Sequence, residues 1–102
     1  MARMIFVNLP VADLPRAMAF YAALGFTNNP QFTDETAACM VWSEHIYLML
    51  LTHAKWQTFT SRPIPATNSS EVMLALALPD RAAVDTMAIT AAQQGGQTDI
   101  NP

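Results

Sequence analysis

The feature that most constrains this chain is an internal repeat of an apolar segment, an Asp-capped helix and a glycine stop. In the first copy, the segment RMIFVNL precedes Asp13, a candidate N-cap, and a helical stripe of apolar residues that ends at Gly25. In the second copy, EVMLALAL leads to Asp80, and Gly95 closes the predicted helix. The copies lie about 65 residues apart. Such a repeat predicts two similar strand–helix modules.

The first copy has room for three more strands after its helix. The segments FTNNPQFTD, TAACMVWSE and IYLMLLT are rich in branched and aromatic residues and are separated by turn residues. The segment HAKWQTFT is predicted to be a short helix or loop, and SRPIPATNSS is predicted to be a linker. We therefore expect one domain, 1–102, with a βαβββ module at 1–52, a linker at 53–70 and a partial second module at 71–102.

Composition narrows the possible partners and the compartment. Apolar residues make up 52 % of the chain and charged residues only 13 %, so part of the surface is expected to be apolar and covered by a second subunit. The net charge is −3 and the basic residues are scattered, which argues against nucleic acid. The sequence contains no run of 18 consecutive apolar residues, so it predicts no membrane-spanning helix. Cys39 is the only cysteine, which favours a reducing compartment such as the cytoplasm. Its neighbours are apolar, so we expect its thiol to be buried and unreactive.

The run FVNLPVADLPRAMAFYAALGF closely resembles the opening of the vicinal oxygen chelate superfamily, which includes glyoxalase I, bleomycin-resistance proteins and extradiol dioxygenases. The resemblance extends over nearly the whole chain. It implies an α+β fold of paired βαβββ modules (glyoxalase/bleomycin-resistance-like), with the second module incomplete at the C-terminus. It also implies a homodimer in which modules pair across subunits and, in the metal-dependent members, a half-open barrel around a divalent cation.

The resemblance places the usual metal-ligand positions on Phe6, at or near Met49 and near Met73, with the last one on a strand beyond this sequence. Phenylalanine offers no donor atom, and a methionine thioether is a soft ligand unsuited to nickel, zinc or manganese. We therefore expect the usual metal site to be absent and no cofactor to be bound. A divalent metal held by His53, Glu71 and further residues is the alternative.

Side chains in phase with these positions should share one face of the sheet, because a strand alternates faces with period two. That face is apolar and rich in methionine, with a few polar groups at its rim, which suits a small apolar or aromatic ligand. A structural hydrogen bond explains Asn8 as well as a ligand contact does. A solvent-exposed position explains His53 and Glu71 more simply than a ligand contact does. The predicted ligand pocket consists of Phe6, Asn8, Tyr47, Met49, His53, Glu71 and Met73.

Three functions remain open at this stage. The first is a glyoxalase/bleomycin-resistance-like protein that binds a small molecule without the usual metal. The second is a metal-dependent lyase, isomerase or dioxygenase of the same superfamily. The third is a ferredoxin-like α+β interaction module without a ligand site. The shortage of donor side chains favours the first over the second, and the apolar face argues against the third.

Overall fold

The computed structural model describes residues 3–66, 69 and 72–97. Four strands and three helices follow each other along the chain, with a 3-10 turn at Pro30–Phe32. None of the described helices is long and apolar enough to cross a lipid bilayer. In chain order the elements are β1 (Ile5–Val11), α1 (Leu14–Ala23), β2 (Thr27–Asn29), β3 (Ala37–Ser43), β4 (Ile46–Thr52), α2 (His53–Trp56) and α3 (Arg81–Gln93).

Helix α1 begins and ends where the sequence predicts. The Asp13 carboxylate accepts a hydrogen bond from the backbone N–H of Arg16 at 3.1 Å, which satisfies one of the free donors of the first turn. Pro15 stands in that turn, where its missing N–H costs nothing. The chain leaves the helix through Gly25, whose φ of +109° is a conformation that favours glycine.

The four strands form one sheet in the order β1-β4-β3-β2. Strand β1 runs parallel to β4, and the β3 pairings with β4 and β2 are antiparallel. Strand β1 is therefore an edge strand, hydrogen-bonded on one side only in the described part of the chain. This arrangement confirms the predicted α+β fold and the βαβββ order of the first module.

The hydrophobic core lies between α1 and one face of the sheet. Met40 and Leu50 are fully buried there, and Leu14 of α1 packs against them. Phe26 lies 4.9 Å from Trp42 and 5.4 Å from Tyr21, measured between ring centroids. The same burial raises the pKa of the Tyr21 phenol. The helix therefore covers one face of the sheet and leaves the opposite face for other contacts.

The predicted strand FTNNPQFTD is shorter in the structure than in the prediction. Strand β2 ends at Asn29, whose side chain accepts a hydrogen bond from the N–H of Gln31 at 3.0 Å. Pro30 has no N–H to donate to a ladder, so the chain turns here into the 3-10 segment. The Asn28 amide then ties the turn to β3 by donating to Thr33 Oγ1 at 2.9 Å and to the Cys39 carbonyl at 3.1 Å.

The predicted strand EVMLALAL is not a strand in the described residues, and that prediction was wrong. Residues 72–78 have no hydrogen-bonded partner strand among the described residues, and Met73 is 92 % exposed. An apolar sequence forms a strand only where another strand supplies the ladder. Glu71 and residues 98–102, which belong to the predicted partial second module, lie outside the described residues.

Helix α3 is present as predicted, and it touches the first module at its C-terminal end. Asp80 caps it by accepting from the N–H of Ala83 at 2.8 Å. Gly95 follows the helix with φ +97°. A Cβ at Gly95 would lie 2.9 Å from the Arg16 guanidinium, and one at Gly96 would lie 3.0 Å from the Phe20 ring. These glycines therefore let α3 approach α1 closely.

Candidate functional site

The face of the sheet opposite α1, which we call the open face, carries the side chains that the sequence places together. The strand register pairs Phe6 with Tyr47 and Asn8 with Met49. Their neighbours Val7 and Leu48 pack into the core on the other side of the sheet. Since side chains alternate along each strand, these four residues project from the face that α1 leaves uncovered.

The Phe6 and Tyr47 rings stack on each other at one end of the open face. Their centroids are 4.5 Å apart and the ring planes differ by 10°. The Tyr47 hydroxyl donates to the Glu44 carbonyl at 2.6 Å, which fixes the orientation of the ring. At this end, the open face therefore consists of two aromatic rings, and the hydroxyl hydrogen of Tyr47 is already used in a hydrogen bond.

Helix α2 and the turn after it stand over the other end of the open face. Thr52 starts α2 by accepting a hydrogen bond from the N–H of Lys55 at 3.2 Å. The Gln57 amide then donates to the carbonyls of Thr60 and Arg62, both at 3.1 Å, and so closes the turn. A four-residue helix followed by a closed turn brings Trp56 and Phe59 back toward β1 and β4.

Between α2, its turn and the sheet lies a cavity of about 360 Å³, which we call the Trp56 cavity. Its walls are largely apolar, and the polar residues among those described that line it are Asn8 and Thr60, beside the indole of Trp56. The five described residues that line it are uncharged. They are Asn8, Leu51, Trp56, Phe59 and Thr60.

Asn8 is the predicted pocket residue that the Trp56 cavity contains. Its amide nitrogen lies 3.5 Å from the Phe6 carbonyl, the outer limit of a hydrogen bond. Such a contact holds the amide weakly, so the group remains available to a ligand. Phe6, Tyr47 and Met49 share the open face with Asn8 but are not among the described residues that line the cavity.

The remaining predicted pocket residues lie elsewhere. His53 is the first residue of α2 and is exposed, and Thr52 rather than His53 caps the helix. Met73 projects into solvent. Glu71 lies outside the described residues. Whether the predicted set as a whole binds a ligand stays a prediction.

Sequence reasoning did not place Trp56, Phe59 or Thr60 in the pocket. Strand phase locates side chains on strands, and these three residues belong to α2 and its turn. The signal that points to them is Thr52, a good N-cap directly after an apolar strand. It indicates that a helix starts directly after β4, but not which side chains of HAKWQTFT face the sheet.

The donor positions implied by the resemblance do not suit a divalent transition metal. Phe6 is stacked on Tyr47, Met49 offers a thioether, and Met73 is solvent-exposed. Among the described residues, no group of three or more His, Cys, Asp or Glu side chains is close enough to hold a metal ion. The side chains that the structure describes at these positions therefore do not fit the metal site that the resemblance implies.

A second cavity, of about 560 Å³, lies on the α1 side of the sheet. Residues 74–77 form one wall, and Val7, Phe26, Trp42 and Leu48 contribute to the other. Its walls are largely apolar, and Tyr21 and the indole of Trp42 are the polar side chains among the described residues that line it. It is the gap between the core and a segment that pairs with no strand among the described residues.

Comparisons with known proteins place the fold. The family described as bleomycin resistance protein-like N-terminal matches residues 3–43. Hypothetical protein SA1046 from S. aureus is similar in structure, with a TM-score of 0.76, 27 % identity, and coverage of 93 % of this chain and 72 % of its own. A glyoxalase/bleomycin resistance protein/dioxygenase family enzyme from Burkholderia phytofirmans PsJN has a TM-score of 0.77 at 18 % identity, with coverage of 92 % and 74 %. No curated protein sequence matches the chain.

Proposed function

We propose that this chain, a glyoxalase/bleomycin-resistance-like protein of the vicinal oxygen chelate superfamily, binds a small apolar or aromatic molecule in the Trp56 cavity without a metal ion. The observation that carries the proposal is the composition of that cavity. Two aromatic side chains and one leucine supply apolar contact, and one amide supplies a hydrogen bond. Ligand sites typically combine a mostly apolar wall with a few placed polar groups.

The volume of the cavity supports the same conclusion. At about 360 Å³ it lies near the lower end of the range of about 300–1,000 Å³ that small-molecule sites occupy. Phe59 is 70 % exposed in the chain alone, although burying a phenylalanine side chain lowers the free energy. A flat ligand lying against it would remove that ring from water.

We also propose that the protein acts as a homodimer in a reducing compartment such as the cytoplasm. One segment that pairs with no strand among the described residues exposes three apolar side chains, Val72, Met73 and Leu74. Strand β1 has an unpaired edge in the described part of the chain. Exposed strand edges and apolar segments are where chains pair with one another. Light scattering with size-exclusion chromatography tests this: a mass near 22 kDa supports the dimer, and about 11 kDa at high concentration contradicts it.

Thermal melting tests the binding proposal against its metal-dependent alternative. A ligand that binds only the native state raises the melting temperature. After chelation, we expect neutral aromatic fragments to stabilise the wild type and Ni²⁺, Zn²⁺ and Mn²⁺ to leave it unchanged. Stabilisation by a stoichiometric metal instead would support the lyase, isomerase or dioxygenase alternative and contradict the proposal.

A pair of matched variants localises the effect. Phe59→Ala removes a wall of the Trp56 cavity, whereas Phe32→Ala removes a comparably exposed ring in the 3-10 turn. Both positions are largely solvent-exposed, so both variants should fold. We expect the fragment-induced shift to fall in Phe59→Ala and to persist in Phe32→Ala. Equal shifts in the two variants would show that the fragments bind elsewhere.

A further inference from the structure

We propose, resting on the proposed function, that the Trp56 cavity selects an uncharged aromatic ring bearing both a hydrogen-bond donor and an acceptor, as in a primary aromatic amide or a lactam. The proposal deepens the proposed function by naming a ligand class. It depends on three features of the cavity: its aromatic walls, the hydrogen-bonding capacity of Asn8 and Thr60, and the absence of charge on its five described lining residues.

The walls favour a flat ring. Trp56 and Phe59 come from one turn of chain and Leu51 from β4, so the space is bounded by two rings and a branched side chain. The Lys55 ammonium lies 5.6 Å from the centroid of the Phe59 ring, a cation–π distance that helps to hold this exposed ring in place. Aromatic rings gain from packing on other rings beyond the area they bury.

The polar groups favour a ligand with both a donor and an acceptor. An asparagine side chain offers an N–H₂ donor and a carbonyl acceptor. The Asn8 N–H₂ group makes the one long contact to the Phe6 carbonyl, and its Oδ1 atom accepts in none of the described hydrogen bonds. Thr60 Oγ1 accepts from the N–H of Arg62 at 3.1 Å, which leaves its hydroxyl hydrogen to donate. A ligand amide matches this set, since it can pair with Asn8 in both directions.

The charge distribution disfavours an ionised ligand. None of the five lining side chains carries a charge that could form an ion pair with a ligand. The Lys55 ammonium faces the Phe59 ring and is not among the lining groups. Moving an ion from water into a largely apolar, uncharged site costs free energy that an opposite charge would compensate best, and the described lining offers none. A carboxylate or ammonium analogue should therefore bind more weakly than the neutral amide of the same ring.

Four ligands that share one ring test this selection: benzamide, benzoate, benzylammonium and toluene. Their affinities for the whole chain can be measured by NMR chemical-shift titration. We expect benzamide to bind about 10-fold or more tightly than benzoate or benzylammonium. Asn8→Leu keeps the size of the side chain and should weaken benzamide about 3- to 10-fold while leaving toluene unchanged.

A second variant distinguishes a direct contact between Asn8 and the ligand from an effect of the substitution on the structure. Asn8→Asp places a carboxylate in the cavity, so the preference should change from benzamide to benzylammonium. Asn8 is exposed in the structure, and both variants should retain the wild-type spectrum outside the open face.

The outcomes separate this selection from the proposed function. Equal binding of benzamide and toluene, unaffected by Asn8→Leu, would overturn the selection and leave the proposed function standing. A preference for benzoate, which would point to Lys55, or one for benzylammonium would also overturn it. Failure of all four ligands to bind the wild type, or undiminished binding of all of them to Phe59→Ala, would contradict the proposed function itself.

Discussion

Phe6 and Tyr47, partners in the parallel pairing of β1 with β4, stack with ring centroids 4.5 Å apart on the open face of the sheet. Phe6 occupies the position where the superfamily resemblance implies a metal ligand. The Phe6 ring, stacked on Tyr47, fills space there and has no donor atom to offer a cation. The chemistry of this face is therefore that of apolar contact, with hydrogen bonding left to Asn8 and Thr60.

This stack should contribute measurably to stability although Phe6 is 48 % exposed. Phe6→Ala removes the ring contact and part of the buried area, so we expect a loss of about 1–2 kcal/mol in the free energy of unfolding. Phe32→Ala is the control, since Phe32 has no ring partner among the described aromatic pairs, and it should change stability by less than about 0.5 kcal/mol. Chemical denaturation measures both. Equal losses would show that the Phe6–Tyr47 contact does not stabilise the fold.

The contact between α3 and α1 predicts a cost at Gly96. A Cβ there would lie 2.9 Å from the backbone oxygen of Ala91 and 3.0 Å from the Phe20 ring, and a backbone atom cannot move aside as a flexible side chain can. Gly96→Ala should therefore destabilise the protein by about 1–3 kcal/mol. Thermal unfolding checks this. A silent substitution would contradict the tight packing around Gly96 at the end of α3.

Two methionines should respond in opposite ways to truncation. Met40 is fully buried in the core, so Met40→Ala should cost about 2–5 kcal/mol through lost packing and the cavity left behind. Met73 is 92 % exposed, and Met73→Ala should cost less than about 0.5 kcal/mol in the monomer. Unfolding at low protein concentration measures both. A large loss for Met73→Ala under those conditions would contradict the exposed position of residues 72–78.

Asp34 should make the stability depend on acidity. Hydrogen bonds from the Thr36 hydroxyl and from the N–H groups of Thr36 and Ala37, with a smaller contribution from the charge of Lys55, hold the pKa of Asp34 below its usual 3.8. Because the folded-state pKa is depressed, the stabilisation is present above pH 3.8 and is lost as the pH falls through the folded-state pKa.

Asp34→Asn keeps the acceptor oxygen and removes the titration. Its melting temperature should fall less steeply than that of the wild type on acidification below pH 3.8. Glu35→Gln is the matched control, because the Glu35 side chain takes part in none of the described hydrogen bonds. Parallel curves for wild type and Asp34→Asn would contradict a stabilising role for the Asp34 carboxylate.

The first module could be predicted from the sequence because its signals are local. Asp13, Gly25 and the alternation in β1 and β4 each determine structure within a few residues, and the core that they imply is the core observed. Strand phase also predicted that Phe6, Asn8, Tyr47 and Met49 share one face, and the register confirms it.

The second module and the cavity depend on contacts that a local pattern does not contain. EVMLALAL is apolar enough for a strand, but whether it pairs depends on a partner edge elsewhere. Trp56 and Phe59 reach the open face because Thr52 starts a helix that is only four residues long and Gln57 then closes the turn. The length of that helix decides which side chains face the sheet, and periodicity cannot fix it in so short a segment.

The two tryptophans provide the most direct test of the proposed site, because they lie on opposite faces of the sheet. Trp56 lines the Trp56 cavity, and Trp42 lines the larger apolar cavity on the α1 side. Their indole N–H signals in a ¹H–¹⁵N spectrum report on each cavity separately during titration with benzamide. The account predicts that the Trp56 signal shifts and saturates while the Trp42 signal stays in place. Movement of the Trp42 signal alone, or of neither signal, would contradict it.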